Sequence, residues 1–274
     1  MNIIRAKKTL GQHFLIDKNI AQKISDSLIL QTKENNESHK VIEVGGGTGF
    51  LTEFLEKKDI ELSVVEIDSE AVDVLKMKFP NLINKIYHDN FLKMNIEQIA
   101  KAPLHIIGNF PYNISSQIFF KVLENRDKVS QVVCMIQKEV AARICSEKGN
   151  KVYGILSVLL QAFYDVEYLF TVSETVFDPP PKVKSAVIRL VRKEKNILNC
   201  NEKLLFQIVK ATFNHRRKII RNTLKSVVGE LDKNIENELL LKRPEQLGVE
   251  DFNDLTNFAE KMSLKNDMEG EIAK

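Results

Sequence analysis

Four short segments carry residue types that could hold a nucleotide and act on a base. VIEVGGGTGFLT, residues 41–52, sets Gly45, Gly47 and Gly49 between an apolar run and a helical pattern expected to start near Thr48. Glycines there let the backbone turn tightly and approach a ligand, at the carboxyl end of a first strand, where open α/β sheets bind nucleotides. The spacing is G-x-G-x-G, and Phe50 stands where a dinucleotide fingerprint wants a small residue, which disfavours NAD. LSVVEID ends a second strand in Glu66, whose carboxylate suits the two hydroxyls of a ribose, while Asp68 is expected to cap the following helix. Asp89, in HDNF, can accept a hydrogen bond from an adenine amino group, with a turn-forming aspartate as the alternative. The most specific segment is GNFPYNIS, residues 108–115. Pro111 keeps the preceding residue out of a helix, so Asn109 and Tyr112 are presented at the sheet edge. The Asn109 oxygen can then accept from an exocyclic amine while the Tyr112 ring stacks on a base, the alternative being a structural turn with Tyr112 in the core.

These segments must be positioned by a sheet. From Val41, apolar β-type runs alternate with longer amphipathic stretches: VIEVG, LSVVEID, LINKIYHD, LHIIGNF and QVVCMIQ. Such alternation predicts βαβ units around a parallel sheet covered on both faces. Residues 164–172 and 184–192 read as two further strands joined through DPPPK and closing the sheet as an antiparallel pair. Beyond residue 195 the β signal stops, and 202–261 reads as helices broken near Gly229, Pro244 and Gly248. The expected organisation is an N-terminal arm plus catalytic α/β domain over 1–195, a helical domain over 196–262 and a polar tail over 263–274. Its 274 residues and 43% apolar composition fit about two ordinary globular domains. Three scattered cysteines, Cys134, Cys145 and Cys200, form no Cys-x-x-Cys pair and fit a reducing cytoplasm, and no apolar run is long enough to span a membrane.

Net charge is only +3, from 40 basic and 37 acidic residues, but the distribution is uneven. Between 182 and 225, thirteen Lys and Arg face only Glu194 and Glu202, a local basic footprint of the kind that binds nucleic acid phosphates. Taken as one ideal helix, Phe206, Val209, Phe213, Ile220 and Leu224 form an apolar stripe. Lys210, Arg217, Lys218, Arg221 and Lys225 fall along its flank. Arg216 joins this candidate phosphate-binding set, and a solvated helix face is the plainer reading.

Asn-x-Pro-Tyr in this order and place resembles the motif of S-adenosylmethionine-dependent methyltransferases that act on adenine amino groups. With TLGQHFLID (9–17), VFDPPPKVKSAVIRL (176–190), FNHRRKIIRNTLK (213–225) and RPEQLGVEDFNDL (243–255), the chain resembles the ribosomal RNA adenine dimethyltransferase family. The similarity is to its small-subunit, KsgA type, and runs over about 7–258. The resemblance implies a Rossmann-like class I methyltransferase sheet with a smaller C-terminal helical domain. It implies S-adenosylmethionine as methyl donor, no metal, and adenosines of small-subunit (16S) rRNA as substrate, dimethylated on an immature subunit by a cytoplasmic monomer. Residue by residue, His13 and Leu15 match the block closing over the cofactor, Gly45 the contact to its methionine part and Gly47 the same loop. Glu66 matches the ribose acceptor, Asp89 the adenine-amine acceptor, and Asn109 the residue shared by cofactor and target base. Relatives often carry proline where Gly46 stands, which implies a looser loop here. Phe110 replaces the commoner leucine at a position expected to act through its backbone.

Methyl transfer from a sulfonium needs an in-line approach and an available lone pair rather than a metal. The adenine amine is a poor nucleophile, so Asn109 and the Phe110 or Pro111 carbonyl are expected to draw it towards a pyramidal geometry. Tyr112 would hold one face of the base and Phe177 the other, with core packing the alternative for Phe177. A large-subunit resistance methyltransferase shares the catalytic core, but the RPEQLGVEDF block and the N-terminal segment speak against it. A non-catalytic assembly factor is disfavoured by the intact Gly loop, Glu66, Asp89 and Asn109. An NAD-dependent oxidoreductase lacks any Ser-Tyr-Lys or histidine-based hydride-transfer set.

Overall fold

The structure is a computed structural model and describes residues 5–30, 38–99, 103–194, 198–232 and 234–272, with side chains in the last helix described to residue 263. The chain forms two compact units, Met1–Ala141 with Asp165–Arg192, and Ala142–Tyr164 with Lys193–Lys274. Sequence pattern alone puts 142–164 with the first domain and the boundary at 195; by contacts, that stretch belongs with the helical unit.

In the first unit the arm gives a two-residue strand β1 (Phe14–Leu15) and helix α1 (Lys18–Asp26), then β2 (His39–Val44), α2 (Thr52–Leu55), β3 (Ile60–Glu66) and α3 (Ser69–Lys78). There follow β4 (Ile86–His88), β5 (Leu104–Asn109), α4 (Ser115–Glu124), β6 (Val129–Gln137) and α5 (Lys138–Ile144), the last running on into the second unit. After α6 (Ile155–Phe163) come β7 (Tyr164–Val172), β8 (Phe177–Asp178) and β9 (Ser185–Arg192). The main sheet has the order β4-β3-β2-β5-β6-β9-β7. Its strands β2 to β6 run parallel, β9 runs antiparallel to β6, and β7, the other half of the expected closing pair, lies beside β9 at the sheet's edge. The small β1–β8 pair ties the arm to the segment before DPPPK through Phe14↔Asp178 and Leu15↔Phe177.

Val41, Ile42, Val44, Val64, Ile106, Ile107 and the 132–136 run are all buried, because helices cover both faces of these parallel strands. Strand order reverses between β2 and β5, so the loops leaving the carboxyl ends of β2, β3, β4 and β5 open around one crevice, where such sheets bind ligands. The helix expected from Thr48 begins only at Thr52, since residues 45–49 are spent on a turn with three left-handed glycines. Likewise the third predicted strand shortens to Ile86–His88 behind a 3-10 turn, Pro80–Lys85.

The second unit is helical: α6, α7 (Glu202–Asn214), α8 (Ile220–Val228) and α9 (Val249–Ile272), with short 3-10 turns at Glu238–Leu241 and Pro244–Gln246. The stretch read as a polar tail continues as α9 through Ile272. A single helix through 206–225 does not form. α7 ends at Asn214, His215 leaves the helical region, and a turn closed by Lys218 N–H on the His215 carbonyl (2.8 Å) precedes α8.

Candidate active site

The crevice holds an open cleft of about 730 Å³ whose wall is built by the arm and the four strand ends, all within the first unit. The β2 loop forms its floor. Gly45 (φ 77°) and Gly47 (φ 52°) take left-handed backbone that other residues adopt only with strain, and the Gly45 N–H donates to the Val65 carbonyl at 2.8 Å. Gly46 corrects the expectation of a loose loop. A Cβ there would stand 2.5 Å from Val64 Cγ1 and 2.9 Å from Leu75 Cδ1, so the glycine is packed rather than free.

Glu66, at the end of β3, is buried and its carboxylate is already oriented. Gly47 N–H donates to Oε2 at 2.9 Å, and Ile67 and Asp68 N–H donate to Oε1 at 2.8 and 2.9 Å. Burial lifts its pKa above the ordinary carboxylate value against the pull of these three donors. A carboxylate has room for about four hydrogen bonds, so at least one acceptor position remains for a sugar hydroxyl. Asp68 caps α3, accepting from Glu70 N–H at 3.1 Å, as the sequence predicts. Asp89 is exposed on the wall beyond β4 and accepts from Asn90 N–H at 2.6 Å.

The GNFPYN turn closes the other side. Asn109 Nδ2 donates to the His13 carbonyl at 2.9 Å, which fixes the amide's sense, and Oδ1 accepts no hydrogen bond from the described residues. Phe110 turns its ring into the core against Phe119, and its N–H donates to the Met135 carbonyl at 3.0 Å, so its contribution to the cleft is its backbone. The Pro111 carbonyl accepts from Ile114 N–H at 3.2 Å, whereas the Phe110 carbonyl accepts no such bond among the described residues. Tyr112 lines the cleft, shares a short hydrogen bond with the Ser185 hydroxyl, and has its pKa raised by burial. Its ring centroid lies 5.4 Å from that of His13, tilted by 35°. His13 Nδ1 in turn stands 2.8 Å from the Pro179 carbonyl.

Two expected site residues stand elsewhere. Phe177 is 2% exposed and packs in the core with Leu15, Val172 and Val187, paired with β1, and it is not among the residues lining the cleft. Leu15 is also in that core, although it borders a smaller recess of about 300 Å³ behind the glycine loop. The same recess contains a residue that the sequence pattern did not single out. Glu43 is buried, with its carboxyl accepting from the Thr52 hydroxyl at 2.7 Å, and burial pushes its pKa up to about 8. A lone carboxylate inside the apolar run VIEVG was the signal that could have found it.

In the second unit the RNA-facing set divides. Arg216 donates to the Lys151 and Asn150 carbonyls and lies 3.7 Å from Glu245; Arg221 donates to the Asp232 and Ile235 carbonyls. Both therefore fasten loops of their own unit. Lys225 pairs with Glu230 at 2.7 Å, Lys210 is exposed, and Arg217 and Lys218 are exposed with no ion pair among the described residues. Because α7 and α8 are separate helices, the flank drawn on one continuous helix does not exist; Arg217 and Lys218 sit in the turn between them. Lys195 of the basic stretch lies outside the described residues. Among the described residues no three His, Cys, Asp or Glu side chains are grouped to hold a metal ion, and no helix is long and apolar enough to cross a membrane.

The ribosomal RNA adenine dimethylase family profile matches residues 3–261. A ribosomal RNA small subunit methyltransferase A of Bacteroides thetaiotaomicron is 53% identical over 261 residues, covering 95% of this chain and 96% of the relative. Another protein of that name, from Flavobacterium johnsoniae, is 53% identical over 257 residues, covering 93% and 96%. Among solved structures, a dimethyladenosine transferase from Plasmodium falciparum superposes with a TM-score of 0.73 at 24% identity, covering 91% of this chain and 98% of that one. The 23S rRNA methyltransferase ErmE gives 0.64 at 21% identity, with 89% and 99% covered. At these identities the two structures speak to the fold, which is that of class I methyltransferases.

Proposed function

The chain belongs to the ribosomal RNA adenine dimethylase family, and from that premise we propose that it transfers methyl groups from S-adenosylmethionine to the exocyclic amines of adenosines in small-subunit rRNA, giving N6,N6-dimethyladenosine. The finer reading is that it acts in the cytoplasm, as a monomer, on an immature small subunit. The observation that carries the reading is the divided Asn109 amide, its NH2 end held by the arm and its oxygen left open beside Tyr112.

The cleft suits the donor: left-handed glycines permit close approach, Glu66 offers an oriented carboxylate for ribose hydroxyls, and Asp89 can accept from the adenine amine. When bound, the donor supplies an electrophilic methyl on a sulfonium. Asn109 Oδ1 and the Phe110 carbonyl are the acceptors for the two hydrogens of the target amine. Accepting from both favours a pyramidal nitrogen whose lone pair is no longer spread into the ring. These bonds strengthen as positive charge grows on that nitrogen, so they lower the barrier rather than only binding the base. Tyr112 supplies the aromatic face for the base, and its hydroxyl, engaged by Ser185, fixes the ring. After one transfer the methylated amine gives up one proton to water, and with the spent donor exchanged for a fresh one the remaining N–H can still be held by one acceptor, which keeps a second transfer possible at the same site. The arm, through His13, shields this geometry from water. Phosphates of the RNA are met by Arg217, Lys218, Lys210 and Lys225.

The test is transfer of labelled methyl from S-adenosylmethionine into immature small subunits. Asn109→Ala should keep its circular dichroism and lose transfer by about 100-fold or more. Undiminished transfer by that variant would overturn the assigned role.

A further inference from the structure

Beside the cleft lies a set of contacts that the mechanism above does not use. Asp68 follows Glu66 by two residues, and its side chain has no solvent exposure. Lys7 Nζ stands 2.6 Å from Oδ1 and 3.0 Å from Glu70 Oε1, while Gln12 Nε2 donates to Asp68 Oδ2 at 3.0 Å. Gln12 also accepts from its own segment, from Lys7 N–H at 2.8 Å, so the two arm residues brace one another. On its other side Asp68 N–H donates to Glu66 Oε1 at 2.9 Å. The residue after Gln12 is His13, whose carbonyl holds Asn109. One carboxylate thus joins the arm to the ribose-side carboxylate and, through two consecutive arm residues, to the base-side amide.

Capping α3 explains only the bond to Glu70 N–H. A helix cap at a surface is ordinarily wetted, whereas this one is covered, and a covered carboxylate is tolerated only when paired and hydrogen-bonded. Lys7 and Gln12 provide that pairing, and both belong to the arm. If the arm lifts, water replaces them. The contact is therefore suited to reversible closure, with the charge satisfied in both states. Burial pulls the Asp68 pKa up, but the bonds from Lys7, Gln12 and Glu70 outweigh it and hold the carboxyl below its ordinary value, ionised at neutral pH.

We infer that Asp68 is a positioning residue, latching the arm through Lys7 and Gln12 so that His13 and Glu66 are fixed together around the methyl donor. The inference rests on the reading that this cleft takes S-adenosylmethionine. A donor that sits under the arm must wait for the arm to open before leaving, so loosening the latch weakens donor binding more than it slows the chemical step.

The experiment uses the full chain and the variants Lys7→Met, Lys7→Arg and Asp68→Asn. Binding of S-adenosylmethionine is measured by calorimetry, KM and kcat by methylation of small subunits, and arm release by the rate of tryptic cleavage at Lys8. Lys7→Met, at a half-exposed position that leaves the α3 cap in place, should raise the donor dissociation constant and its KM by about three- to tenfold. It should lower kcat by less and speed cleavage at Lys8, with Lys7→Arg recovering most of the loss. Asp68→Asn should shift the same quantities further. Unchanged donor affinity and unchanged cleavage in Lys7→Met, with wild-type protein binding the donor normally, would overturn the latch and leave the proposed function standing. Failure of wild-type protein to bind S-adenosylmethionine would instead overturn the reading beneath it.

Discussion

Replacing Glu43 with glutamine should remove a pH-dependent penalty from the folded state. The carboxyl sits on β2 immediately before the glycine loop, buried, with the Thr52 hydroxyl as its hydrogen-bond donor. Burial is the largest influence on it, the Thr52 bond opposes burial, and the Glu66 charge adds to it; together they raise its pKa from 4.5 to about 8. In the unfolded chain the group ionises near its ordinary value. Between these two values the folded state holds a proton that the unfolded state has lost, so stability falls as pH rises through this window and levels off above about 8. A rise of about 3.5 units at ~1.36 kcal/mol per unit gives about 5 kcal/mol lost across the whole window. That is a large fraction of the 5–15 kcal/mol by which domains are ordinarily stable. Glutamine keeps an acceptor for Thr52 and cannot ionise. Urea unfolding of wild type and Glu43→Gln at pH 5.5, 7 and 8.5 isolates the effect, because other titrating groups cancel in the difference. The stability difference should move in the variant's favour by about 3 kcal/mol from the lowest to the highest pH, because the window is already partly crossed at 5.5 and flattens above 8. A difference constant to within about 0.5 kcal/mol would refute the reasoning, since it would mean that Glu43 titrates alike in both states.

Gly46→Ala should destabilise the first unit by about 1–3 kcal/mol, read as a lowered urea midpoint, because its Cβ meets Val64 Cγ1 at 2.5 Å; Val64→Ala in the same chain should recover part of the loss. Arg217→Glu with Lys218→Glu should weaken RNA binding and flatten its dependence on salt, each lost phosphate contact reducing the slope by about 0.7–0.9. Arg216→Ala should instead lower thermal stability with little change in that slope, since its guanidinium is spent on the Asn150 and Lys151 carbonyls. Equal salt slopes for the two sets would mean that the division of this basic stretch is wrong.

The strands were legible because each buried strand is a short continuous apolar run, and a run too short for a core helix, set between helical patterns, has little choice but to pair in a covered sheet; their order was not, since no local pattern marks which strand a crossover returns to. Glu66 and Asn109 were legible for a related reason, as polar residues standing where such runs end. Asp68 shows both what pattern carries and what it does not. Its role as a cap follows from Ser69 and Glu70 beside it, but its contacts to Lys7 and Gln12 span 61 and 56 residues and have no local mark. For Phe177 the sequence left base contact and core packing open, because spacing fixes where a residue lies and not which way it turns; the β1–β8 pairing, made by a distant arm, places it in the core. The break between α7 and α8 has no Gly or Pro to announce it. It is held from outside the segment, with Ile220 N–H donating to the Lys242 carbonyl at 2.8 Å. Gly46 was read against what relatives carry, whereas its environment is set by Val64 and Leu75 of this chain.

The most direct measurement is mass spectrometry of nucleosides from small-subunit rRNA after incubation of immature subunits with the purified protein and labelled S-adenosylmethionine, beside a parallel reaction with Asn109→Ala. The account predicts labelled N6,N6-dimethyladenosine from the wild-type reaction and at least about 100-fold less from the variant. No labelled dimethyladenosine from the wild-type reaction, or dimethyladenosine formed equally by Asn109→Ala, would contradict it.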